Sequence, residues 1–256
     1  MADKDLLFEK RDGAAWLVLN REEHRNSISV EALDLFNEYL DAIEADQGIR
    51  VTCITGAGDK AFSSGADLGT AMGGHGVDGP MKYAGLIERM GRFPKPFIAR
   101  VNGHCMAGGM GLMLACDMVY AHEDVLFGTP EVKVGLFPMM ISALILRNMP
   151  RKKAMEMMFT GRRFTAREAE EIGLVTRCVG RDELDRVVDE AVASIVANAP
   201  LAISAGRQAM AEIEALDLED SIPFLHRRLL ALLNTEDASE GLAAFLQKRK
   251  PEWRGR

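Results

Sequence analysis

Hydrophobic positions along the first half of the chain follow two different periods. Short runs rich in β-branched and aromatic residues predict strands, and apolar residues spaced three or four apart predict helices. The predicted strands are LLFEK, AAWLVLN, VTCIT, FIARV, MVYA and VLF, with the first two joined as a hairpin at Asp12-Gly13. The predicted helices are SVEALDLFNEYLDAIEAD, with Ser29 as its N-cap, MKYAGLIERMGRF and MGLMLACD. Strands that alternate with helices predict the α/β class.

From about residue 138 onward the pattern changes and is almost wholly helical. Amphipathic helical spacing occurs in TAREAEEIG, DELDRVVDEAVASIVANA, LAISAGRQAMAEIEAL, SIPFLHRRLLALLN and EGLAAFLQKRK. A run of helices after an α/β core commonly forms an oligomer interface or covers a site. We therefore expect the second half of the chain to serve one of these purposes.

Composition narrows the function classes. The 256 residues are 48% hydrophobic and 27% charged, which is typical of a globular protein, and the formal net charge is -7. An acidic total argues against a nucleic-acid partner or a membrane surface. The N-terminal segment has no apolar core of signal-peptide length and no run reaches membrane-spanning length, so we expect a cytoplasmic protein. Four cysteines without CxxC spacing and five scattered histidines predict reduced core thiols and no metal site.

Two glycine-bearing turns follow buried strands. SSGADLG (63–69) comes after VTCIT, and NGHCMAGGMG (102–111) comes after FIARV. Ligand sites in α/β folds gather beyond the carboxyl ends of strands, and glycine lets a backbone N–H approach a ligand closely. If the turns converge, their two N–H groups can bind one oxygen as an oxyanion hole. The alternative is that both are ordinary turns, since neither matches the dinucleotide fingerprint or the P-loop.

Six blocks of sequence carry a resemblance to a known family. They are NREEHRNSI, KAFSSGADL, KPFIARVNGHCMAGGMGLMLACD, FGTPEVKVGLFP, MFTGRRFTAREAEEIGLVTRCV and GLAAFLQKRKPEW. In this order they resemble the enoyl-CoA hydratase/isomerase (crotonase) superfamily, from about residue 16 to the C-terminus. The resemblance is specific for the family and far less so for the reaction.

The resemblance implies both a fold and a set of roles. The expected α/β fold is a crotonase-like spiral of β-β-α repeats over residues 1–195, followed by a C-terminal helical trimerisation region over residues 196–256. A homotrimer or a dimer of trimers is implied. Ala66 and Gly108 match the two oxyanion-hole N–H donors, which would hold the thioester carbonyl of an acyl-CoA substrate. Coenzyme A is then part of the substrate, and no separate cofactor is expected.

The acid/base residues are incomplete by comparison with hydratases of the family, which commonly pair two glutamates. Glu131 matches one of them, and Gly111 stands where the other is expected. In the addition of water, one carboxylate can deprotonate the water while a second protonates the α-carbon. Moving a proton between C2 and C4 of an enoyl thioester needs only one carboxylate, which takes the proton and returns it. A single-glutamate hydratase stays open, and so does a structural reading of Glu131 as a carboxylate at a helix N-terminus. A Gly111→Glu change should raise hydration if the geometry of the pocket is otherwise hydratase-like.

Further substrate-binding candidates follow from the same resemblance and from charge. Asp67 and Leu68 continue the first turn, while Arg25 and Lys248 could meet the CoA phosphates. Glu88 is a candidate replacement acid, although a solvated helix face explains it as well. The sequence predicts an enoyl-CoA hydratase or Δ3-Δ2-enoyl-CoA isomerase with a single glutamate. The alternative is a non-catalytic acyl-CoA-binding member of the superfamily.

Overall fold

The larger of two sheets carries the hairpin and most of the core. The computed structural model describes residues 4–66 and 78–256. The strands of the larger sheet are β1 (Leu6–Arg11), β2 (Ala14–Leu19), β3 (Val51–Gly56), β5 (Phe97–Val101), β7 (Met118–His122) and β10 (Arg177–Val179). They lie in the order β1-β2-β3-β5-β7-β10, with β1 and β2 antiparallel and the other neighbours parallel. Asp12 and Gly13, at φ 51° and 77°, form the predicted hairpin turn.

A smaller sheet lies beside it and positions the candidate site. Its strands are β4 (Ala61–Ser63), β6 (His104–Met106), β8 (Leu126–Gly128) and β9 (Phe164–Thr165), in the order β4-β6-β8-β9. The first three run parallel, and β9 is antiparallel to β8. The carboxyl ends of β4, β6 and β8 therefore meet at one edge of this sheet.

Helices cover the sheets and form most of the C-terminal part. They are α1 (Val30–Ala45), α2 (Asp78–Arg92), α3 (Gly108–Leu114), α4 (Met139–Asn148), α5 (Arg151–Thr160), α6 (Ala166–Glu171), α7 (Leu184–Val196), α8 (Pro200–Ile213), α9 (Leu218–Leu233) and α10 (Glu236–Gln247). Short 3₁₀ helices span Glu22–His24, Pro130–Val134 and Arg181–Glu183. The predicted N-cap of α1 is confirmed, because the Ser29 hydroxyl accepts a hydrogen bond from the Ala32 N–H at 3.0 Å.

The prediction of an almost wholly helical second half was wrong at two places. β9 has two residues and β10 has three, and both add to sheets formed mainly by the first half of the chain. A strand this short shows no readable alternation of apolar and polar positions. Its partners lie far away in sequence, so local pattern cannot reveal the pairing.

The core lies on both faces of the larger sheet. Phe36, Leu40, Phe97 and Phe127 belong to the main apolar cluster and are at most 1% exposed. A second cluster forms where α7 packs on the opposite face. The predicted division at residue 195 falls in the last turn of α7 and stays a prediction.

Within residues 4–66 and 78–256, no single helix is both long and apolar enough to cross a membrane. The segments 181–196 and 200–213, bent by 102°, satisfy length and composition only when taken together.

Candidate functional site

Three turns meet at the edge where β4, β6 and β8 end. Strand pairing sets Ser63 beside Cys105 and Met106 beside Gly128, so the three chains leave the sheet next to one another. The Ala107 N–H donates to the Gly128 carbonyl at 2.9 Å and extends this pairing into the turns. The segments that follow contain Ala66, Gly108 and Glu131. The fold thus brings together the three turns that carry the sequence-predicted site residues.

The segment from residue 21 to residue 28 holds the first turn. The Ile28 N–H donates to the Gly65 carbonyl at 2.8 Å, and the Ser64 N–H donates to the Arg25 carbonyl at 3.0 Å. These bonds fix the backbone on both sides of Gly65. The NREEHRNSI block therefore positions the first N–H donor from outside the sheet.

Asn26 is the centre of this clamp. It is 1% exposed and its side-chain amide donates to the Ala57 and Ala61 carbonyls at 2.9 and 2.7 Å. Its amide oxygen accepts from the Arg21 N–H at 3.1 Å, and its carbonyl accepts from the Ser63 hydroxyl at 2.8 Å. Buried polar groups are stable when they are hydrogen-bonded, and these partners include the first and last residues of β4. Asn26 therefore ties the NREEHRNSI block to the strand that leads into the first turn.

Bare backbone brings the first and second turns into contact. Gly65 has φ +95°, and a Cβ there would lie 2.7 Å from the Gly108 nitrogen. A Cβ on Gly108 would lie 3.3 Å from the Ala66 nitrogen. Neither the Ala66 nor the Gly108 N–H donates a hydrogen bond to any residue within 4–66 or 78–256. Two adjacent unpaired donors form the arrangement that binds one developing oxyanion.

Glu131 supplies a carboxylate on the third of these turns. It lies in the 3₁₀ helix that begins after β8, and its Oε2 is buried without a hydrogen-bond partner among the described residues. Burial raises the pKa of this carboxyl above its ordinary value, although its own backbone N–H opposes the rise. A half-buried carboxylate with a raised pKa and an oxygen that no described residue binds is suited to accept and return a proton.

Gly111 is closed to any side chain. A Cβ at this position would lie 2.2 Å from the hydroxyl oxygen of Tyr83 and 2.4 Å from Cγ2 of Ile141. Contacts below 3.0 Å require the neighbouring atoms to move. The condition on which Gly111→Glu was expected to raise hydration, an otherwise hydratase-like pocket, does not hold at this position, because Tyr83 and Ile141 occupy the space.

Tyr83 is the site residue that sequence reasoning missed. Along α2, Tyr83, Leu86 and Met90 are buried, and Tyr83 alone among them carries a polar group. Buried tyrosine hydroxyls usually find a partner, so a polar tip on this apolar stripe was a usable signal. Glu88, the candidate replacement acid on the same helix, is exposed and does not occupy the space at Gly111.

The candidate substrate-binding residues have different outcomes. Asp67 and Leu68 lie outside the described residues. Arg25 is exposed beside the first turn, with its carbonyl bonded to Ser64. Lys248 ends α10 at φ 55°, and within the described part of the chain it forms no hydrogen bond or ion pair with a residue of the site. Their roles stay predictions.

Three of the four cysteines are buried, and the prediction of a core thiol was wrong for Cys178, which is half-buried beside Glu170. All four are free thiols, and burial raises the pKa of Cys53 to about 12. Burial likewise raises the pKa of Cys105 and Cys116 well above the ordinary thiol value. In the ranges that the structure describes, no group of three or more His, Cys, Asp or Glu side chains is arranged to hold a metal ion.

Comparison with known proteins gives a consistent result. Residues 9–256 match the family model described as enoyl-CoA hydratase/isomerase. The chain is 38% identical over 236 residues to the carnitinyl-CoA dehydratase of Escherichia coli O157:H7, covering 89% of this chain and 88% of that protein. It is 35% identical over 250 residues to a Thermus thermophilus protein named provisionally as an enoyl-CoA hydratase, covering 93% and 96%.

Solved structures agree in fold. The crystal structure of an enoyl-CoA hydratase from Mycobacterium smegmatis superposes with a TM-score of 0.93 at 30% identity, covering 98% of this chain and 99% of that one. An enoyl-CoA hydratase from Bacillus anthracis gives the same TM-score and identity, with 98% and 100% covered. The predicted crotonase-like α/β fold is confirmed by these likenesses.

Proposed function

Because this chain belongs to the enoyl-CoA hydratase/isomerase family, we propose that it converts an enoyl-CoA thioester with Glu131 as its single acid/base residue. The Ala66 and Gly108 N–H groups are the proposed oxyanion hole for the thioester carbonyl. The observation that carries the proposal is the buried Oε2 of Glu131, which has no hydrogen-bond partner among the described residues and lies on one of the three turns that meet at this edge. Coenzyme A enters as part of the substrate, and no further cofactor takes part.

The oxyanion hole determines which intermediates are accessible. Loss of a proton from C2, or attack of a nucleophile at C3, places negative charge on the thioester oxygen as an enolate. Donors fixed before the reaction stabilise that charge without reorganisation, and removing one typically costs about 10²–10³ in kcat. Because backbone N–H groups carry this function, no side-chain deletion removes it.

The geometry at Gly111 best supports isomerisation. Glu131 takes the C2 proton of a 3-enoyl thioester, and the C–H electrons form the enolate. The protonated Glu131 returns the proton to C4 while the double bond moves to C2–C3. This reaction needs only one carboxylate for its atoms and charge to balance. The space next to Gly111, where a second acid would lie, is filled by Tyr83 and Ile141.

Hydration is the second candidate, and the names of the relatives favour it. Among the relatives are enoyl-CoA hydratases and a carnitinyl-CoA dehydratase, all of which add or remove water by name. With one carboxylate, Glu131 would take a proton from a water molecule while the oxygen of that water bonds to C3. The same proton would then pass to C2 of the enolate. Both reactions share the enolate and the same residues.

A non-catalytic acyl-CoA-binding protein is the weaker alternative. Leaving a buried carboxylate oxygen without a partner costs stability, and a protein that only binds a thioester gains nothing from it. The raised pKa of Glu131 points to proton transfer instead.

The proposal also covers the residues that bind the phosphates of coenzyme A and the oligomeric state. Arg25 is exposed beside the first turn, and the charged side chain of Lys248 is a candidate for the phosphates in an assembled oligomer. We expect a homotrimer or a dimer of trimers, formed through the C-terminal helices.

A mass-resolved assay of the purified protein with 2-enoyl-CoA and 3-enoyl-CoA tests the function. Interconversion of the two esters without gain of water identifies an isomerase, and gain of one water on the 2-enoyl ester identifies a hydratase. Glu131→Gln should lower kcat by about 10²–10⁴ in either case. Activity should fall as pH decreases through the raised pKa of Glu131. Binding without turnover of either ester by the wild type would refute the proposal and favour the binding protein.

A further inference from the structure

The hydroxyl of Tyr83 is bonded to the helix that begins with the second oxyanion donor. Tyr83 is 7% exposed, and its hydroxyl donates to the Gly108 carbonyl at 2.5 Å. The Leu112 N–H faces the hydroxyl oxygen of Tyr83. One side chain from α2 thus holds the first turn of α3, where Gly108 is the first residue.

The same hydroxyl needs the absence of a side chain at Gly111. Any Cβ there would overlap it at 2.2 Å, and Ile141 would overlap the Cβ from another side at 2.4 Å. Gly111 and Tyr83 therefore fit each other as a pair: the glycine admits the hydroxyl, and the hydroxyl excludes a larger residue.

We propose that Tyr83 is the positioning residue of this site, which sets the Gly108 donor and restricts the site to one carboxylate. The proposal rests on the function argued above. Tyr83 acts through the backbone of α3 and does not touch the reacting atoms. It determines specificity because the volume that a second acid needs is filled by its hydroxyl and by Ile141.

Tyr83 does not replace the missing acid. Its proton is directed to the Gly108 carbonyl, away from the substrate position implied by the two N–H donors. Burial, together with the nearby charges of Cys105 and Glu131, raises the pKa of the hydroxyl above its ordinary value and keeps it protonated. Proton transfer is thus left to Glu131.

Kinetics of Tyr83→Phe test the positioning role. The ring is kept and only the hydroxyl is lost, so the fold should persist. We expect kcat to fall about tenfold and KM to change less than about threefold. The expected fall in kcat is smaller than the factor of about 10²–10³ that follows complete loss of an oxyanion-hole donor. The pH dependence set by Glu131 should keep its position. Tyr120→Phe is the matched control, since its hydroxyl lies outside the site, and it should leave kcat unchanged.

A second measurement does not depend on turnover. The carbonyl stretching frequency of a ¹³C-labelled saturated acyl-CoA thioester falls when oxyanion-hole donors polarise it. Tyr83→Phe should reduce this shift, and Tyr120→Phe should not. An unchanged shift and unchanged kcat in Tyr83→Phe would overturn the inference. A wild type that fails to turn over any enoyl ester but shows the Tyr83-dependent shift would instead overturn only the proposed reaction.

The fit between Gly111 and Tyr83 is tested by thermal stability. Gly111→Ala should lower the melting temperature strongly in the wild type and by a smaller amount in the Tyr83→Phe background, where no hydroxyl overlaps the new methyl. Gly85→Ala, on α2 where a Cβ meets nothing within 4 Å, is the control and should not lower it. Additive losses from Gly111→Ala and Tyr83→Phe would contradict the pairing, whatever the enzyme does.

Discussion

At the scale of single residues, function and stability oppose each other at Glu131. Its carboxylate is half-buried, with a buried Oε2 that has no partner among the described residues, and burial raises its pKa. The folded state therefore holds the Glu131 proton more tightly than the unfolded state does. As pH rises from the ordinary carboxyl value through the raised pKa, this residue contributes progressively less to stability.

Glu131→Gln should accordingly stabilise the protein while it removes activity. At neutral pH we expect a gain of roughly 1 kcal/mol in the free energy of unfolding, because a buried unpaired charge is replaced by a neutral amide. The gain should shrink as pH falls below the raised pKa, since Glu131 is then neutral in the folded state. Denaturant unfolding at several pH values measures this, and a variant that is less stable at neutral pH would contradict it.

Gly65 illustrates a backbone requirement at the same scale. Its φ of +95° disfavours a side chain, and an added Cβ would lie only 2.7 Å from the Gly108 nitrogen. Gly65→Ala should lower stability and kcat together, because the two turns are pushed apart. Gly206→Ala, where a Cβ meets nothing within 4 Å, serves as the control in the same melting and rate measurements. Unchanged kcat in Gly65→Ala would show that contact between the turns is dispensable.

Residues differ in how far the sequence could identify them. Ala66, Gly108 and Glu131 lie in continuous blocks with recognisable spacing, so the sequence was enough to select them. The contact between Tyr83 and Gly111 joins α2 to α3 across 28 positions of chain. No local pattern reports such a contact, and Gly111 alone shows only that a side chain is missing.

At the scale of elements, an ion pair between the buried side chain of Arg207 and the partly exposed side chain of Asp117 connects α8 to the body of the fold. Arg207, whose side chain is 9% exposed, binds both carboxylate oxygens of Asp117 through Nε at 3.0 and 2.9 Å. It also donates to the Met90 and Phe93 carbonyls at the end of α2. Asp117 in turn accepts from the Phe97 N–H at 2.7 Å, so α2, β5 and α8 share one polar junction.

Breaking this junction should be costly. Arg207→Ala leaves the Met90 and Phe93 carbonyls and the partly exposed Asp117 without their partner, and we expect a loss of about 2 kcal/mol in unfolding free energy. Arg186→Ala, which removes exposed pairs with Glu183 and Glu190, should cost less than about 1 kcal/mol. Urea denaturation of both variants provides the comparison, and equal losses would contradict a special role for Arg207.

Elements also show where the sequence was sufficient. Long periodic segments such as α1 and α7 bury the residues that their spacing predicts. The two-residue β9 and three-residue β10 could not be read, because their pairing with β8 and β7 depends on tertiary contacts. The parallel edge formed by β4, β6 and β8 follows from pairing as well, and it is this edge that assembles the site.

At the scale of the whole molecule, the C-terminal helices and their connections expose many large apolar side chains. They are Met210, Leu216, Leu218, Ile222, Leu229, Leu230, Leu233, Leu242, Phe245 and Leu246. Exposed apolar surface of this extent marks an interaction site, and a second copy of the chain is the partner expected here. The predicted trimerisation region lies in the same part of the chain.

A charged residue introduced on this surface should shift the equilibrium between oligomer and monomer toward the monomer. Phe245 is 81% exposed in the single chain, and Phe245→Asp should raise the monomer fraction in sedimentation velocity experiments. The wild type should sediment as three or six chains. Leu7→Asp, on β1 away from these helices, is the control and should leave the assembly intact. A wild-type monomer would refute the predicted oligomer.

Deuterium exchange tests the central claim, that Glu131 alone moves protons on an enolate held by Ala66 and Gly108. The protein is incubated in H₂O with 3-enoyl-CoA that carries deuterium at C2, and in D₂O with 2-enoyl-CoA, and mass spectrometry locates the deuterium in the recovered esters. We predict that the wild type removes deuterium from C2 of the first ester, or adds solvent deuterium at C2 of the hydrated second ester, and that Glu131→Gln loses at least about 10² of the rate. Movement of either label at the wild-type rate in Glu131→Gln, or of neither label in the wild type, would contradict the account.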